Sequence, residues 1–255
     1  MMATNGVLAG RVALVTGGGS GIGRAAAELF AEQGAAVLVA DRDDTGEETV
    51  AAITSAGGEA TFVQADVSIE ADVAAAVRMA ESVYGGLDAA FNNAGVAPAM
   101  TSFEDLERDV WERVIAVNLS GVWLCMKHEL AVMVPRRSGT IVNTASVAGL
   151  VGTAKGGSYT AAKHGVIGLT RTAAVEHGPS GIRVNALAPG FTRTAMVDDL
   201  IDNPEFDMQQ MLAASPLGRM AEPREIAEAA LWLTSPASSF VTGHVLVIDG
   251  GFTAQ

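Results

Sequence analysis

Residues 11–33 read RVALVTGGGSGIGRAAAELFAEQ: an apolar run, a glycine-rich loop and an amphipathic stretch, in that order. The run Arg11–Val15 is typical of a buried β-strand, and the stretch Ile22–Gln33 of a helix. Between them, the spacing G-x-x-x-G-x-G permits a tight turn and lets backbone N–H groups approach a pyrophosphate. The N-terminus of the following helix adds a favourable partial positive charge. The loop residues expected to face such a ligand are Gly17, Ser20, Gly21, Ile22 and Gly23.

Strand-like and helix-like segments alternate along the rest of the chain. Further strands are predicted at 36–40, 60–64, 87–91, 139–144, 182–187 and 244–248. Further helices are predicted at 45–56, 69–84, 109–134, around 159–163 and at 223–234. Apolar, valine-rich strands that alternate with helices indicate a parallel sheet covered on both faces. The sequence therefore predicts an α/β fold in one domain, residues 1–255, built as a Rossmann-type doubly wound parallel sheet of about seven strands.

The composition argues against several classes of function. A formal net charge of −13 disfavours binding to nucleic acid or to an anionic membrane surface. No apolar stretch approaches the roughly 20 residues of a membrane-spanning helix. The one cysteine, Cys125, allows no internal disulfide and is expected to be a small buried residue in a reducing compartment. The first residues lack the basic start of a signal peptide, so we expect a cytoplasmic protein, and no metal site is expected.

Asp41 stands at the end of the second predicted strand, 18 residues beyond Gly23. A dinucleotide-binding fold places a carboxylate there, where it accepts hydrogen bonds from the adenosine ribose hydroxyls. The same carboxylate repels a 2′-phosphate, so NAD is favoured over NADP. Arg42 keeps the other cofactor open, because an arginine in this loop can bind that phosphate or stack on adenine. The non-functional alternative for Asp41 is a turn-forming role within residues 41–44.

Two further loops follow predicted strands and would lie at the same edge of the sheet. Ligands of open α/β sheets bind beyond the carboxyl ends of the strands. One loop follows the third strand and the other follows the fourth. The residues expected to form this part of the cofactor wall are Asp66, Val67, Asn93, Ala94 and Gly95.

Tyr159 and Lys163 lie four residues apart in a predicted helix, so they share one face of it. A phenol with its ordinary pKa of about 10 is a poor base at neutral pH. A neighbouring ammonium favours the phenolate and lowers that pKa, which would make Tyr159 a proton acceptor for an alcohol. The same spacing also occurs in a helix whose lysine simply reaches solvent, so the neighbouring motifs must decide.

Five motifs, in order and spacing, resemble those of the short-chain dehydrogenase/reductase family. They are Thr16–Gly23 (T-G-x-x-x-G-x-G), Asn92–Gly95 (N-N-A-G), Asn143–Ser146 (the strand-five motif ending in serine), Tyr159–Lys163 (Y-x-x-x-K) and Pro189–Thr194 (P-G-x-x-x-T). The resemblance extends from Gly10 to about Gly251, nearly the whole chain. It implies an NAD(H)-dependent enzyme that interconverts a secondary alcohol and a ketone by hydride transfer.

The resemblance also implies a role for each matching residue. Ser146 would bind the substrate oxygen, and Tyr159 would be the acid/base. Lys163 would bind the nicotinamide ribose and lower the pKa of Tyr159, and Asn118 would hold a water that links the lysine to solvent. Besides Tyr159, Lys163 and the loops above, the cofactor contacts that it implies are Pro189, Gly190, Thr192 and Thr194.

The substrate region is expected to be apolar. The resemblance places a substrate lid at about 194–216, where flexible methionines suit an adaptable pocket. The residues expected to line it are Met196, Val96, Val147, Leu150 and Val151, with Met208 and Met211 also in the lid. Lys155 is expected to be solvated rather than to meet an anionic substrate. Arg193 departs from the family pattern, which often has an acidic residue near this position.

Family members form tetramers through two long helices and the C-terminal end, so a homotetramer is expected. Small residues suited to close helix packing at that contact are Cys125, Ala131, Ala162, Gly165 and Gly168. Two other functions stay open. One is a reductase of 3-oxoacyl groups on acyl carrier protein, which the acidic surface disfavours because an acidic carrier would be repelled. The other is a non-catalytic dinucleotide-binding protein.

Overall fold

The computed structural model describes residues 6–197 and 208–255, and seven strands of this part of the chain form one sheet. They are β1 (Val12–Thr16), β2 (Ala36–Asp41), β3 (Glu59–Gln64), β4 (Ala89–Asn92), β5 (Gly139–Thr144), β6 (Ile182–Pro189) and β7 (Val245–Ile248). All neighbours are parallel, in the order β3-β2-β1-β4-β5-β6-β7. The chain starts in the middle of the sheet, builds one side and then the other. The predicted doubly wound parallel sheet is confirmed.

The helices between the strands follow the predicted pattern, except that the short helix Met208–Ala213 was not predicted and the long helix after β4 is interrupted. They are α1 (Gly21–Glu32), α2 (Gly46–Ser55), α3 (Glu70–Tyr84), α4 (Arg108–Ile115), α5 (Val122–Arg136), α6 (Gly157–His177), α7 (Met208–Ala213) and α8 (Pro223–Thr234). The prediction of one regular helix over 109–134 is wrong, because a π-helical segment, Ala116–Gly121, joins α4 to α5. Such wide turns within helices are frequent at functional sites.

Alternation along the strands divides the core into two layers, one on each face of the sheet. In β1, Leu14 packs with α3, α5 and α6, whereas its neighbours Ala13 and Val15 pack with α1, α2 and α8. In β2, Leu38 and Val39 divide between the two layers in the same way. Successive side chains of a strand point to opposite faces, so both faces of a central strand must be apolar. This explains the unbroken apolar runs from which the strands were predicted.

Two of the small residues proposed for a contact between chains are already used within one chain. Cys125 and Ala162 are buried in the described structure, so the prediction that they lie at a surface for a second chain is wrong. A Cβ on Gly165 would lie 2.7 Å from the side chain of Leu119, so that glycine also packs inside the chain. Among the described residues, no helix is long and apolar enough to cross a membrane.

Candidate active site

The glycine loop after β1 is packed too closely for larger residues. A Cβ on Gly17 would lie 2.9 Å from the Cα of Ala94, and one on Gly23 would overlap the carbonyl oxygen of Gly17. Gly17 and Gly21 also have positive φ angles, +63° and +51°, which favour glycine. The loop therefore presents backbone, not side chains, at the first turn of α1, the arrangement that receives a phosphate.

Thr16 joins this loop to the one that follows β4. Its Oγ1 accepts hydrogen bonds from the backbone N–H groups of Asn93 (3.0 Å) and Ala94 (3.1 Å). The Asn93 side chain bonds back to the carbonyl oxygens of Thr16 and Gly17, both at 3.4 Å. Two neighbouring strand ends are thus held together where the cofactor wall is predicted. In the sequence, Thr16 is only the first residue of the Thr16–Gly23 motif, and this linking role was not predicted.

Asp41 is the last residue of β2, and its carboxylate turns toward the glycine loop. Its Oδ2 accepts the backbone N–H of Gly19 at 2.8 Å, and its Oδ1 accepts that of Asp43 at 3.2 Å. Arg42 forms an exposed ion pair with Asp43 at 3.1 Å. The hydrogen bond and the charge of Asp43, with smaller contributions from Asp66 and Asp41, raise the pKa of the Arg42 guanidinium. The arginine thus sits in an acidic loop and already has a partner.

Asp66 and Val67 lie beyond β3, on the same edge. Asp66 Oδ1 accepts the backbone N–H and the hydroxyl of Ser68, at 2.8 and 2.6 Å. Val67 is buried, and a Cβ on Gly121 would lie 2.9 Å from its Cγ2. The loop therefore packs against the end of the π-helical segment, which positions it for the predicted adenine side of a cofactor site.

Asn118 lies within the π-helical segment and is fully buried. Its Oδ1 accepts the backbone N–H of Val96 (2.8 Å), and its Nδ2 donates to the Val96 carbonyl oxygen (2.9 Å). A Cβ on Gly95 would lie 2.9 Å from Asn118 Oδ1 and 3.8 Å from Lys163 Nζ. Gly95 therefore stands between the amide and the ammonium, and its lack of a side chain lets both approach.

Lys163, on α6, is 3% exposed, and its Nζ donates to the Thr144 carbonyl oxygen at 2.8 Å. Burial lowers its pKa from 10.5 to about 8. The side chain is therefore mostly an ammonium at neutral pH, fixed to the end of β5.

Tyr159, one turn earlier, has its ring centroid 5.4 Å from Lys163 Nζ. Its phenol hydrogen-bonds the hydroxyl of Ser146, which also accepts the backbone N–H of Ala148 at 3.1 Å. Burial raises the pKa of Tyr159, and the Ser146 bond opposes that rise. In the protein alone the pKa of Tyr159 therefore lies above its ordinary value, because loss of solvent outweighs the Ser146 bond. The lowering expected from Lys163 stays a prediction. The four residues expected in catalysis are nevertheless brought together.

The loop after β6 completes this edge. A Cβ on Gly21 would lie 3.0 Å from Thr194 Cγ2, so the loop reaches the glycine turn. Thr192 is buried and forms an isolated parallel bridge with Ala221.

Arg193, whose role the sequence left open, pairs with Glu222 at 3.2 Å and bonds through its backbone N–H to the Ala221 carbonyl oxygen. This fixes the segment from Pro189 to Thr194 against the start of α8. A Cβ on Gly190 would lie 2.8 Å from the Cα of Asp249.

The residues predicted to line the substrate site are exposed or partly buried. Leu150 and Val151 are exposed, and Val96, Val147 and Met196 are partly buried. The sequence missed Phe103, which is 82% exposed and whose ring lies 3.3 Å from a Cβ placed on Gly157. Of the predicted lid, residues 198–207 lie outside the described residues. The side chains of Met208 and Met211 lie outside them too.

Two loops meet at the mouth of this region. The backbone N–H of Thr101 donates to the Lys155 carbonyl oxygen at 3.0 Å. Met100 and Lys155 both have left-handed backbones, with φ angles of +50° and +60°. Non-glycine residues pay for such angles and keep them where the surroundings enforce the geometry. The bond holds the loop after β4 against the loop that precedes α6.

Comparison with known proteins agrees with this geometry. The family model described as enoyl-(acyl carrier protein) reductase matches residues 17–253. The chain is 47% identical over 249 residues to 2,5-dichloro-2,5-cyclohexadiene-1,4-diol dehydrogenase of Sphingobium indicum, covering 97% of this chain and 98% of that protein. It is 47% identical over 244 residues to cis-4-hydroxycyclohexanecarboxylate dehydrogenase of Sinomonas cyclohexanicum, covering 96% and 97%.

A solved structure, a short-chain type dehydrogenase/reductase from Mycobacterium marinum, matches with a TM-score of 0.93 at 35% identity and 97% coverage of each chain. Four of the five motifs lie at the carboxyl ends of β1, β4, β5 and β6. The fifth, Tyr159–Lys163, lies in α6 and is bonded through Lys163 to the end of β5. The chain therefore belongs to the short-chain dehydrogenase/reductase family of nicotinamide-dependent oxidoreductases.

Proposed function

We propose that the protein is an NAD(H)-dependent dehydrogenase that interconverts a secondary alcohol and a ketone, with Tyr159 as the acid/base. The observation that carries this proposal is the environment of Tyr159: its phenol is bonded to Ser146, and its ring centroid lies 5.4 Å from the buried Lys163 ammonium. An alcohol oxygen placed between the two hydroxyls would meet one group that orients it and one that takes its proton. A non-catalytic binding protein would need neither group.

The residues at the carboxyl edge fit a dinucleotide. The backbone of the loop Gly17–Gly23 and the N-terminus of α1 would hold the pyrophosphate, since side chains are excluded there. Asp41 would accept from the adenosine ribose, with Asp66 and Val67 beside the adenine. Asn93, Ala94 and Gly95 would line the middle of the site, and the segment Pro189–Thr194 its nicotinamide end. A nicotinamide held there would supply the hydride acceptor for the oxidative direction, and its oxidised form a positive charge that favours the Tyr159 phenolate.

The loop after β2 supports NAD over NADP. A 2′-phosphate at the adenosine ribose would meet the Asp41 carboxylate, with Asp43 and Asp66 close by. Arg42 could offer compensation only by leaving its 3.1 Å ion pair with Asp43. Like charges brought together in this way cost several kcal/mol, enough to set a preference.

The proton path runs through this chain's own residues. In oxidation, Tyr159 takes the alcohol proton while Ser146 keeps its hydrogen bond to the substrate oxygen. Lys163 contributes a charge held in place by Thr144, and it stays mostly protonated below its pKa of about 8. Asn118 holds the backbone at Val96 and lies on the other side of Gly95 from the lysine. In reduction, Tyr159 returns the proton.

The substrate we propose is a secondary alcohol on a six-membered carbocycle, or the matching ketone. The names of the two dehydrogenases reported above both describe alcohols on such rings. The wall contributed by Leu150, Val151 and Phe103 is apolar and suits a hydrocarbon ring.

A homotetramer in the cytoplasm also remains our proposal, and a sedimentation result for a monomer would refute the oligomer.

One observation favours a second function. The matching family model is described as an enoyl-(acyl carrier protein) reductase, so it shares a carrier-bound substrate with the alternative of an NADPH-dependent reductase of 3-oxoacyl groups. The net charge of −13 opposes it, since the carrier is itself acidic. Reduction of an acetoacetyl thioester with NADPH, faster than any alcohol oxidation, would establish this alternative.

The test is a matrix of two cofactors and four substrates, followed at the absorbance of the reduced nicotinamide. NAD⁺ and NADP⁺ are each combined with cyclohexanol, cis-4-hydroxycyclohexanecarboxylate, a linear secondary alcohol and a primary alcohol. We expect turnover with NAD⁺ and the two ring alcohols, slower turnover with the linear one and none with the primary one. No turnover of any alcohol, despite NADH binding, would favour the non-catalytic alternative.

A further inference from the structure

Glu129 is a carboxyl group that the proposed reaction does not use, and it is fully buried in α5. Its Oε2 accepts a hydrogen bond from Asn92 Nδ2 at 3.0 Å. Asn92 is the last residue of β4, directly before the Asn93–Gly95 part of the cofactor wall. From α5, the glutamate thus bonds to the strand end that leads into the candidate active site.

The Asn92 amide continues this contact across the sheet. Asn92 Nδ2 also donates to Asn143 Oδ1 at 3.0 Å. Asn143 Nδ2 in turn donates to Thr170 Oγ1 at 3.0 Å and lies 3.2 Å from Met126 Sδ. A buried amide chain therefore runs from α5 across β4 and β5 to α6, the helix that carries Tyr159 and Lys163.

Two oxygens in this chain of hydrogen-bonded side chains lack a donor. Asn92 Oδ1 and Glu129 Oε1 are both buried and have no hydrogen-bond partner in the described structure. If Glu129 is a carboxylate, it can only accept hydrogen bonds, so neither it nor Asn92 Oδ1 can provide the donor that the other lacks. A neutral carboxylic acid supplies the missing O–H. Burial raises the pKa of Glu129 from 4.5 to about 8, opposed by the Asn92 bond.

The surroundings contain no ammonium or guanidinium aimed at Glu129 among the described hydrogen bonds and ion pairs. The groups that face it from β4 and β5 are the two amides, and the next group on α6 is the Thr170 hydroxyl. α3 contributes apolar residues such as Val77 to the core layer that it forms with α5 and α6. On its own helix the titratable neighbour is Cys125, whose pKa is raised well above its usual value by burial and by Glu129. Apart from the Asn92 hydrogen bond, none of these groups stabilises a negative charge on Glu129.

We propose that Glu129 is a positioning residue that acts as a neutral acid, completing the amide chain that fixes the carboxyl ends of β4 and β5. Those ends carry Gly95, which stands between Asn118 and Lys163, and Thr144, whose carbonyl oxygen binds Lys163. Ser146 follows Thr144 by two residues. Ionisation of Glu129 would place a charge beside Asn92 Oδ1, loosen the chain and misplace these groups. The effect on turnover rests on the proposed function, whereas the protonation state does not.

Two variants separate charge from shape, and a third is the control. Glu129→Gln keeps the shape and offers an N–H to Asn92 Oδ1 at every pH. Glu129→Leu keeps an apolar volume and leaves the Asn92 amide without this partner. Glu81→Gln makes the same chemical change on an exposed position of α3. Substrate turnover with NAD⁺ and infrared difference spectra are measured for each against pH.

The infrared measurement tests protonation without any substrate. We expect the carbonyl stretch of a protonated carboxylic acid at neutral pH in the wild type and in Glu81→Gln. It should disappear above a pH of about 8 and be missing from Glu129→Gln. A spectrum at neutral pH that is the same for wild type and Glu129→Gln in this band would overturn the proposal. This holds even if the protein oxidises no alcohol, which would sink only the proposed function.

The kinetic measurement tests positioning. We expect Glu129→Gln to match the wild-type kcat within about threefold at neutral pH, and the variant to wild-type ratio to rise above pH 8. Glu129→Leu should lose about tenfold to a hundredfold in kcat, the cost of a misplaced catalytic group, with a smaller change in KM for NAD⁺. If Glu129→Leu does not fold, the pH profile of Glu129→Gln decides. Profiles of wild type and Glu129→Gln that superimpose across this range would contradict the positioning role.

Discussion

Lys163 Nζ lies 5.4 Å from the centroid of the Tyr159 ring, while its hydrogen bond goes to the Thr144 carbonyl oxygen at 2.8 Å. The ammonium is therefore fixed by the end of β5 and acts on the phenol across a gap. In the protein alone, burial raises the pKa of Tyr159, so the lysine does not by itself produce a phenolate. In the proposed reaction, activation of the tyrosine would therefore depend on what binds beside it, so proton transfer would be coupled to cofactor binding.

The position of Asp41 predicts the cofactor preference and the way to weaken it. We expect kcat/KM with NAD⁺ to exceed that with NADP⁺. Asp41→Ser removes the negative charge that we propose faces the 2′ position, so the ratio of kcat/KM with NAD⁺ to that with NADP⁺ should fall by about tenfold or more. Steady-state kinetics with both cofactors give the ratio. Asp44→Ser, in the same exposed turn, should leave the ratio unchanged, and an equal drop in both variants would argue against a specific role for Asp41.

Thr16 is predicted to support the cofactor wall through one oxygen. Thr16→Val keeps the shape of the side chain but leaves the backbone N–H groups of Asn93 and Ala94 without their acceptor. Buried donors left unpaired cost about 1–3 kcal/mol, so the free energy of unfolding should drop by that amount and KM for NAD⁺ should rise. Urea unfolding and initial rates measure the two effects. Thr16→Ser retains the hydroxyl and should behave like the wild type; if it fails equally, the methyl group matters instead.

Glu129 predicts how stability depends on pH. Its pKa is raised from 4.5 to about 8 in the folded protein, so the folded state holds the proton more tightly than the unfolded chain. The contribution is present below pH 4.5, is lost as the pH rises to about 8 and is flat above that. At 1.36 kcal/mol per pH unit this amounts to about 5 kcal/mol.

The measurement compares urea unfolding of the wild type with that of Glu129→Gln between those two pH values. The wild type should lose stability relative to the variant as the pH rises. Lys163, with its pKa lowered to about 8, makes its own contribution of opposite sign at higher pH, and it is the same in both proteins. A difference in stability that does not change with pH would mean that Glu129 has an ordinary pKa.

The sheet and the edge on which the site lies could be predicted because both follow from local patterns. Valine-rich runs such as β2 must be buried on both faces, and a parallel sheet brings every strand end to one edge. The residues at those ends, Asp41 among them, were therefore found by position alone. The partner of Arg42 could not be predicted in this way, because whether an arginine pairs with Asp43 or with a phosphate depends on side-chain geometry.

Other features depend on contacts between distant residues and could not be predicted. The π-helical turn at Asn118 accompanies two hydrogen bonds to Val96, which no local pattern encodes. The direction of the Tyr159 pKa shift depends on burial rather than on the spacing to Lys163. Glu129 is different, since its spacing of four from Cys125 and from Met133 places it on a buried face of α5 and could have identified it.

The central claim is that Tyr159 transfers the proton in an NAD⁺-dependent oxidation, and one comparison tests it most directly. Oxidation of cyclohexanol with NAD⁺ is measured for the wild type, Tyr159→Phe and Tyr84→Phe, the last altering the chain's other tyrosine. We expect Tyr159→Phe to lose at least about a hundredfold in kcat while binding NADH as the wild type does, with Tyr84→Phe close to wild type. A Tyr159→Phe variant with wild-type turnover would contradict the assignment.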